Sequence, residues 1–203
     1  MREGRPALSE SSVERDPYSQ FAKWYGEARD AERPLPDAAA LATASTRGRP
    51  SLRMVLLKGF DARGFVFYTS YRSRKGRELA RNPHGTLLFY WGNLERQVRI
   101  EGRIERVSAR ESDEYFATRP RGSQLSAWAS AQSATVPGRA ALERRFAAVA
   151  RRYPESVPRP PHWGGYRLAP EAIEFWQGRD DRLHDRILYR LARGRWRVER
   201  LAP

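Results

Sequence analysis

The 203-residue sequence predicts an α+β fold, a mainly antiparallel β-barrel with helices packed outside it. Three observations carry this reading. From residue 38 to residue 107, short apolar runs recur at regular spacing, cut by turn residues. Segments with apolar residues at helical spacing flank those runs, and two begin with N-terminal capping signals. The length suits one domain with its own core, taken as residues 16–203 behind a flexible polar arm at 1–15.

The elements follow in order. In "DPYSQFAKWYGEARDA", Asp16 caps a helix and Pro17 suits its first position, while Phe21, Trp24, Tyr25 and Ala28 share one face. "ERPLPD" reads as a linker. Strands are predicted over 41–46, 51–60 and 65–70, with turns "RGRP" and "DARG" between them. A short helix is expected near 73–81, then strands over 86–91 and 94–107 with Gly102 marking a bulge. "SARE" at 108–111 is a capping box that opens a helix ending near Thr118. Another helix is expected over 138–153, with Leu142, Phe146, Val149, Ala150 and Tyr153 facing one way. After the rigid "PESVPRPP" come strands over 163–168, 172–178 and 186–201, the last turning near Gly194.

Composition narrows the function. There are no cysteines, which excludes disulfides, thiolate metal sites and a cysteine nucleophile, and fits a reducing cytosol. The first twenty residues have no apolar core, and no stretch approaches the ~20 apolar residues of a membrane span. The +14 net charge raises nucleic-acid binding, yet the arginines are scattered through every predicted element rather than gathered into a footprint. His84, His162 and His184 are far apart, so no metal is expected. Nucleophile-elbow, dinucleotide and P-loop signatures are all missing from the sequence.

What remains is a set of anion-binding clusters. Lysine occurs three times (Lys23, Lys58, Lys75) among 38 basic residues, so each position stands out. In "RMVLLK", strand alternation puts Arg53, Val55 and Leu57 on one face and Met54, Leu56 and Lys58 on the other. Cations beside apolar residues need counter-charges near the strand's ends. "YTSYRSRKGREL" sets hydroxyls at Tyr68, Thr69 and Ser73 beside Arg74 and Lys75 at a helix start, a phosphate cradle. "YFATRPRGSQ" spaces Tyr115, Arg119 and Ser123 four apart, a second hydroxyl-plus-guanidinium cluster. "EFWQGRDDRLHDR" gathers Trp176, Arg182, His184 and Arg186, and strand alternation from 182 would point the last three one way. Two phosphate-type pockets with aromatics suggest a phosphorylated cofactor meeting a phosphorylated substrate.

At these residues the sequence resembles the pyridoxine/pyridoxamine 5′-phosphate oxidase family over nearly its whole length. The matching stretches include "RMVLLKGFDARGFVFYTSYRSRKGREL", "NPHGTLLFYWGNLERQVRIEGRIERV", "YFATRPRGSQLSAWASAQS", "WGGYRL" and "IEFWQGRDDRLHDRILY", with the closing "RLAP". The resemblance implies a split β-barrel homodimer binding FMN at the subunit interface, both chains contributing to each site. It implies FMN contacts from Arg53, Met54, Val55, Leu56, Leu57 and Lys58 along one strand. Tyr68, Thr69, Arg74, Lys75, Gln97, Gln132, Ser133, Trp176 and Arg186 complete them. Substrate positions correspond to Lys58, Tyr115, Arg119 and Ser123 around a phosphate, with Arg182 and His184 as catalytic positions at the pyridine ring.

The implied reaction oxidises pyridoxine 5′-phosphate or pyridoxamine 5′-phosphate to pyridoxal 5′-phosphate. Hydride passes from C4′ to flavin N5, and O₂ takes the electrons as hydrogen peroxide. Lys58 would serve flavin and substrate together, because a rotatable ammonium can reach two ligands where a planar guanidinium cannot easily do so. One departure stands out: the arm has Arg2 and Arg5 but no tyrosine before Tyr18, so no arm contact to substrate is assigned. The rivals are an FMN oxidase of another ring, of the phenazine-biosynthesis type, and a flavin- or haem-binding barrel without turnover. Intact Lys58, Tyr115, Arg119 and Ser123 argue against the first, and intact Arg182 and His184 against the second.

Overall fold

The computed structural model describes residues 7–32 and 34–203. Among the described residues nine strands form a single antiparallel sheet: β1 Ala38–Ala44, β2 Pro50–Leu56, β3 Gly59–Asp61, β4 Gly64–Ser70, β5 His84–Trp91, β6 Arg96–Arg106, β7 Trp163–Gln177, β8 Asp185–Ala192 and β9 Arg195–Arg200. Along the sheet the order is β2-β1-β5-β6-β7-β4-β3, with β8 and β9 continuing from β7. The chain itself joins the two ends of that path. Leu57 donates its N–H to Asp37 O and Lys58 donates to Val66 O, so the strand expected at 51–60 breaks there and passes from one end to the other. The result is an α+β split barrel, and Lys58 sits at its seam.

Helix α1 (Pro17–Ala31) forms as read, with Asp16 accepting from Ser19 N at 2.9 Å. Its apolar face closes the barrel, the Phe21 ring meeting Phe60 and Phe65 edge-on at 4.9 and 4.8 Å. Phe21 is fully buried, a burial worth about 1.5–3 kcal/mol. Helices α2 (Arg74–Leu79), α3 (Ala109–Thr118), α4 (Arg121–Ala129) and α5 (Arg139–Arg152) lie outside, and Phe116, Leu125, Val157 and Trp163 form a second core beneath α3 to α5. Among the described residues no helix is long and apolar enough to cross a membrane.

Four further expectations change. The strands expected at 163–168 and 172–178 are one strand, β7, carried past Pro170 by a bulge. Glu101 pairs with Ala172 and Gly102 with Pro170, leaving Glu171 as the extra residue. Gly102 is needed there, since a Cβ would lie 2.1 Å from Ala169 O. Helix α4 was not expected; Pro120 stands at its N-cap, and Leu125 and Ala129 turn inward. Residues 180–182 form a tight turn with Asp181 and Arg182 at φ 53° and 60°, so strand alternation does not begin at 182 but at Asp185. Of the arm expected to be flexible, residues 1–6 lie outside the described set. The remainder is docked: Leu8 is buried, its N–H donates to Asp185 Oδ2 at 3.1 Å, and Tyr189 OH donates to Glu14 O at 2.6 Å.

Candidate active site

Between β4, α3 and α4 lies a cavity of about 530 Å³ whose walls include Leu56, Lys58, Tyr68, Thr69, Tyr115, Arg119, Ser123, Gln132 and Trp163. Tyr115, Arg119 and Ser123, four residues apart in sequence, are carried on two helices and the break between them. Tyr115 lies on α3, Arg119 is its extended C-cap (φ −73°, ψ 144°), and Ser123 lies on α4. All three still face one cavity.

Arg119 sits against the aromatic side of this cavity. Its guanidinium carbon lies 4.6 Å from the Trp163 ring centre, and Nη1 is buried with no hydrogen-bond partner among the described residues. Tyr68, Tyr115 and Trp163 form a near-parallel aromatic wall, Tyr68 and Tyr115 at 3.9 Å and 17°. The Tyr68 hydroxyl donates to Glu111 O at 3.4 Å rather than joining the cradle, because neighbouring strand residues point to opposite faces. Lys58 is held by Asp37 at 2.9 Å, the counter-charge its position called for.

The expected cradle assembles behind Thr69 and Gln132. Lys75 Nζ donates to Thr69 Oγ1 at 3.1 Å and to Gln132 Oε1 at 3.5 Å, and Ser133 Oγ accepts from Arg74 N at 3.2 Å. Burial, then the charge of Arg53, lowers the Lys75 ammonium to a pKa of about 8. Arg53 is half-buried and donates to Leu41 O at 3.1 Å and Thr43 Oγ1 at 2.6 Å. Its strand partners divide: Val55 packs on the core and Leu57 is buried within it, while Met54 and Leu56 face outward beside Leu52.

The remaining candidates lie elsewhere on the same chain. Gln97, Trp176 and Arg186 are neighbours across β6, β7 and β8 and line a separate cavity of about 200 Å³ with Leu88, Arg99 and Glu174. Arg186 donates to Glu174 at 2.7 Å and to Ala202 O at 2.8 Å. His184 stacks at a tilt on Trp176, 4.7 Å between ring centres. Its Nδ1 accepts from Arg179 N at 3.1 Å, so the neutral ring keeps its proton on Nε2. The chain thus carries two separate clusters of candidate residues and does not bring them together. Sequence reading missed Asp37, Glu78 and Trp163. Glu78 had a signal, its i,i+4 spacing from Arg74; the other two are defined by tertiary contact.

The barrel and its cation-lined cavities define a class: a split-barrel protein built to take phosphorylated or similarly anionic ligands. The pyridoxamine 5′-phosphate oxidase family model matches residues 16–153, and the model for the pyridoxine 5′-phosphate oxidase C-terminal dimerisation region matches residues 163–203. The chain belongs to this family. It is 58% identical over 202 residues to a pyridoxine/pyridoxamine 5′-phosphate oxidase of Burkholderia ambifaria, covering 98% of this chain and 94% of that one. A pyridoxine/pyridoxamine 5′-phosphate oxidase of Cupriavidus taiwanensis is 60% identical over 198 residues, covering 97% and 93%. Among solved structures, PhzG from Burkholderia lata, in complex with tetrahydrophenazine-1-carboxylic acid, superposes with a TM-score of 0.91 at 33% identity, covering 97% and 98%. A pyridoxamine 5′-phosphate oxidase-related, FMN binding protein from Nostoc punctiforme shares the fold, with a TM-score of 0.72 at 18% identity, covering 98% and 100%.

Proposed function

We propose that this protein is an FMN-dependent oxidase of B6 vitamers. It converts pyridoxine 5′-phosphate or pyridoxamine 5′-phosphate to pyridoxal 5′-phosphate, with O₂ as acceptor and hydrogen peroxide released. The observation that carries the reading is the unpartnered Nη1 of Arg119 in a cavity that also holds Tyr115, Ser123 and Lys58. A buried donor without an acceptor is costly, and a substrate phosphate supplies that acceptor.

Arg53, Arg74, Lys75, Thr69, Gln132 and Ser133 fit the FMN phosphate, since hydroxyls, an amide and three cations converge there. FMN held there would supply a two-electron acceptor for the substrate carbon and an outlet for those electrons to O₂. The chain's own work is binding and orientation. Arg119, Tyr115, Ser123 and Lys58 fix the substrate's phosphate, which sets its ring along the cavity. The aromatic wall of Tyr68, Tyr115 and Trp163 excludes water from one side.

The second half-site reaches this cavity from a second copy of the chain. Gln97, Trp176 and Arg186 would complete the flavin site, and Arg182 and His184 would cover the substrate ring. With Nδ1 engaged, His184 offers an Nε2–H donor to a substrate oxygen or amine rather than a base. Leu52 and Met54, 69% and 63% exposed on the edge strand β2, supply apolar surface for that association.

The test is direct. The purified protein should carry a yellow flavin spectrum that bleaches without oxygen on adding pyridoxine 5′-phosphate, but not pyridoxine. In air, pyridoxal 5′-phosphate and peroxide should form in equal amounts. The likeness to PhzG favours a second reading, oxidation of a reduced tricyclic acid. Bleaching by such a compound and not by the phosphorylated vitamers would replace the first reading with the second.

A further inference from the structure

Glu78 lies on α2, one turn after Arg74, and is buried behind the cradle. It does not line the main cavity. Its two oxygens divide their partners. Oε1 accepts from Arg74 Nε at 2.9 Å, while Oε2 accepts from Thr43 and Ser51 hydroxyls, each at 2.5 Å, and faces Arg53 Nη2 at 3.4 Å. Arg53 Nη2 also donates to Ser51 Oγ, and Nη1 to Thr43 Oγ1, so one carboxylate organises β1, β2 and α2 together. Burial alone would raise the Glu78 carboxyl, but the hydrogen bonds from Ser51, Thr43 and Arg74 outweigh it and hold the group down to about 2.

A negative charge beside a phosphate site is unfavourable for binding by Coulomb's law. Its value must lie in what it holds. The guanidinium is a rigid planar fork: with Arg53 held through both terminal nitrogens and Arg74 through Nε, the direction of their remaining N–H groups is set. We propose that Glu78 is a positioning residue for the flavin phosphate, setting Arg53 and Arg74 in place before the ligand arrives. The inference rests on the FMN reading above and deepens it.

The experiment compares two flavins that differ in the phosphate. Apoprotein is titrated with FMN and with riboflavin, following quenching of flavin fluorescence. Wild-type protein should favour FMN by ~100-fold or more, the weight of several charge-assisted hydrogen bonds. Glu78→Ala should weaken FMN by ~10–100-fold while leaving riboflavin within about 2-fold, since only the phosphate contacts lose their arrangement. Glu78→Gln keeps an acceptor for Thr43, Ser51 and Arg53 but turns an amide N–H toward Arg74, so an intermediate loss of ~3–10-fold is expected. Unchanged or tighter FMN binding would overturn the inference, because the carboxylate would then merely repel the phosphate. Equal weakening of both flavins would overturn it too, by making Glu78 a general support of the barrel. Should the alanine variant fail to fold, the near-isosteric glutamine variant decides between the same outcomes. Failure of the FMN reading looks different: wild-type protein itself would not distinguish the two flavins.

Discussion

The guanidinium of Arg119 lies over the Trp163 ring at 4.6 Å, with one of its terminal nitrogens buried and unbonded. An arginine held over an indole has little freedom left to search for its ligand. Replacing it by alanine should raise KM for the phosphorylated substrate by ~100-fold, from the loss of charge-assisted hydrogen bonds, with flavin content unchanged. Arg119→Lys should fall between, because a lysine loses the planar fork. Steady-state kinetics beside a flavin absorbance ratio checks this; joint loss of flavin and affinity would mean the two pockets are not separate.

Lys75 gives a pH dependence with a definite sign. Its folded pKa of about 8 lies below the unfolded value of 10.5, so between those values the folded apoprotein holds fewer protons than the unfolded chain. Apoprotein stability should therefore rise with pH across that window and level off above it. A phosphate dianion favours charged Lys75, so FMN binding near pH 9 should draw in up to ~1 proton per site. Calorimetry in two buffers of different ionisation enthalpy measures the uptake. Lys75→Met should abolish it, and uptake that persists in that variant would assign the proton elsewhere.

The two half-sites on one chain make subunit mixing informative. Arg119→Ala and Arg186→Ala lie in different halves, so a hybrid dimer carries one doubly altered site and one native site. Assayed at a substrate concentration well below the raised KM, where each variant alone is nearly silent, co-expression of the two should recover about a quarter of wild-type activity by random pairing of a two-fold dimer. Activity no higher than either parent would place a complete site within one chain.

Gly102 sits where β6 and β7 slip register, and any Cβ there meets backbone rather than a movable side chain. Gly102→Ala should destabilise the protein by about 1–3 kcal/mol through overpacking. Thermal unfolding of the holoprotein provides the measurement, and an unchanged midpoint would show that the bulge adapts.

Much of this was legible along the chain, and the exceptions share a cause. Alternation and turn residues located the strands because each is a local property. The demand for counter-charges at Arg53 and Lys58 was also legible, and Glu78 and Asp37 meet it. Their identities were not, since Asp37 stands 21 residues from Lys58 and Glu78 stands 25 from Arg53. Pro170 falls in the gap between the strands expected at 163–168 and 172–178, and only the facing Gly102 makes room for one strand to continue past it. The tight turn at Asp181 and Arg182 escaped because left-handed backbone at non-glycine residues is held by surroundings, not by propensity. The same turn separates Arg182 and His184 from the alternation that would have aligned them with Arg186.

Asp185 gives those surroundings a wider reach. Its carboxylate takes hydrogen bonds from Arg179 before the turn, from Leu8 near the start of the chain and from Arg200 near its end. Trimming residues up to Leu8 is ordinarily a mild edit, made to improve crystals or remove a protease target. Here it would slacken the loop that presents His184, and so be felt first as poorer turnover in an enzyme that still folds and still looks yellow.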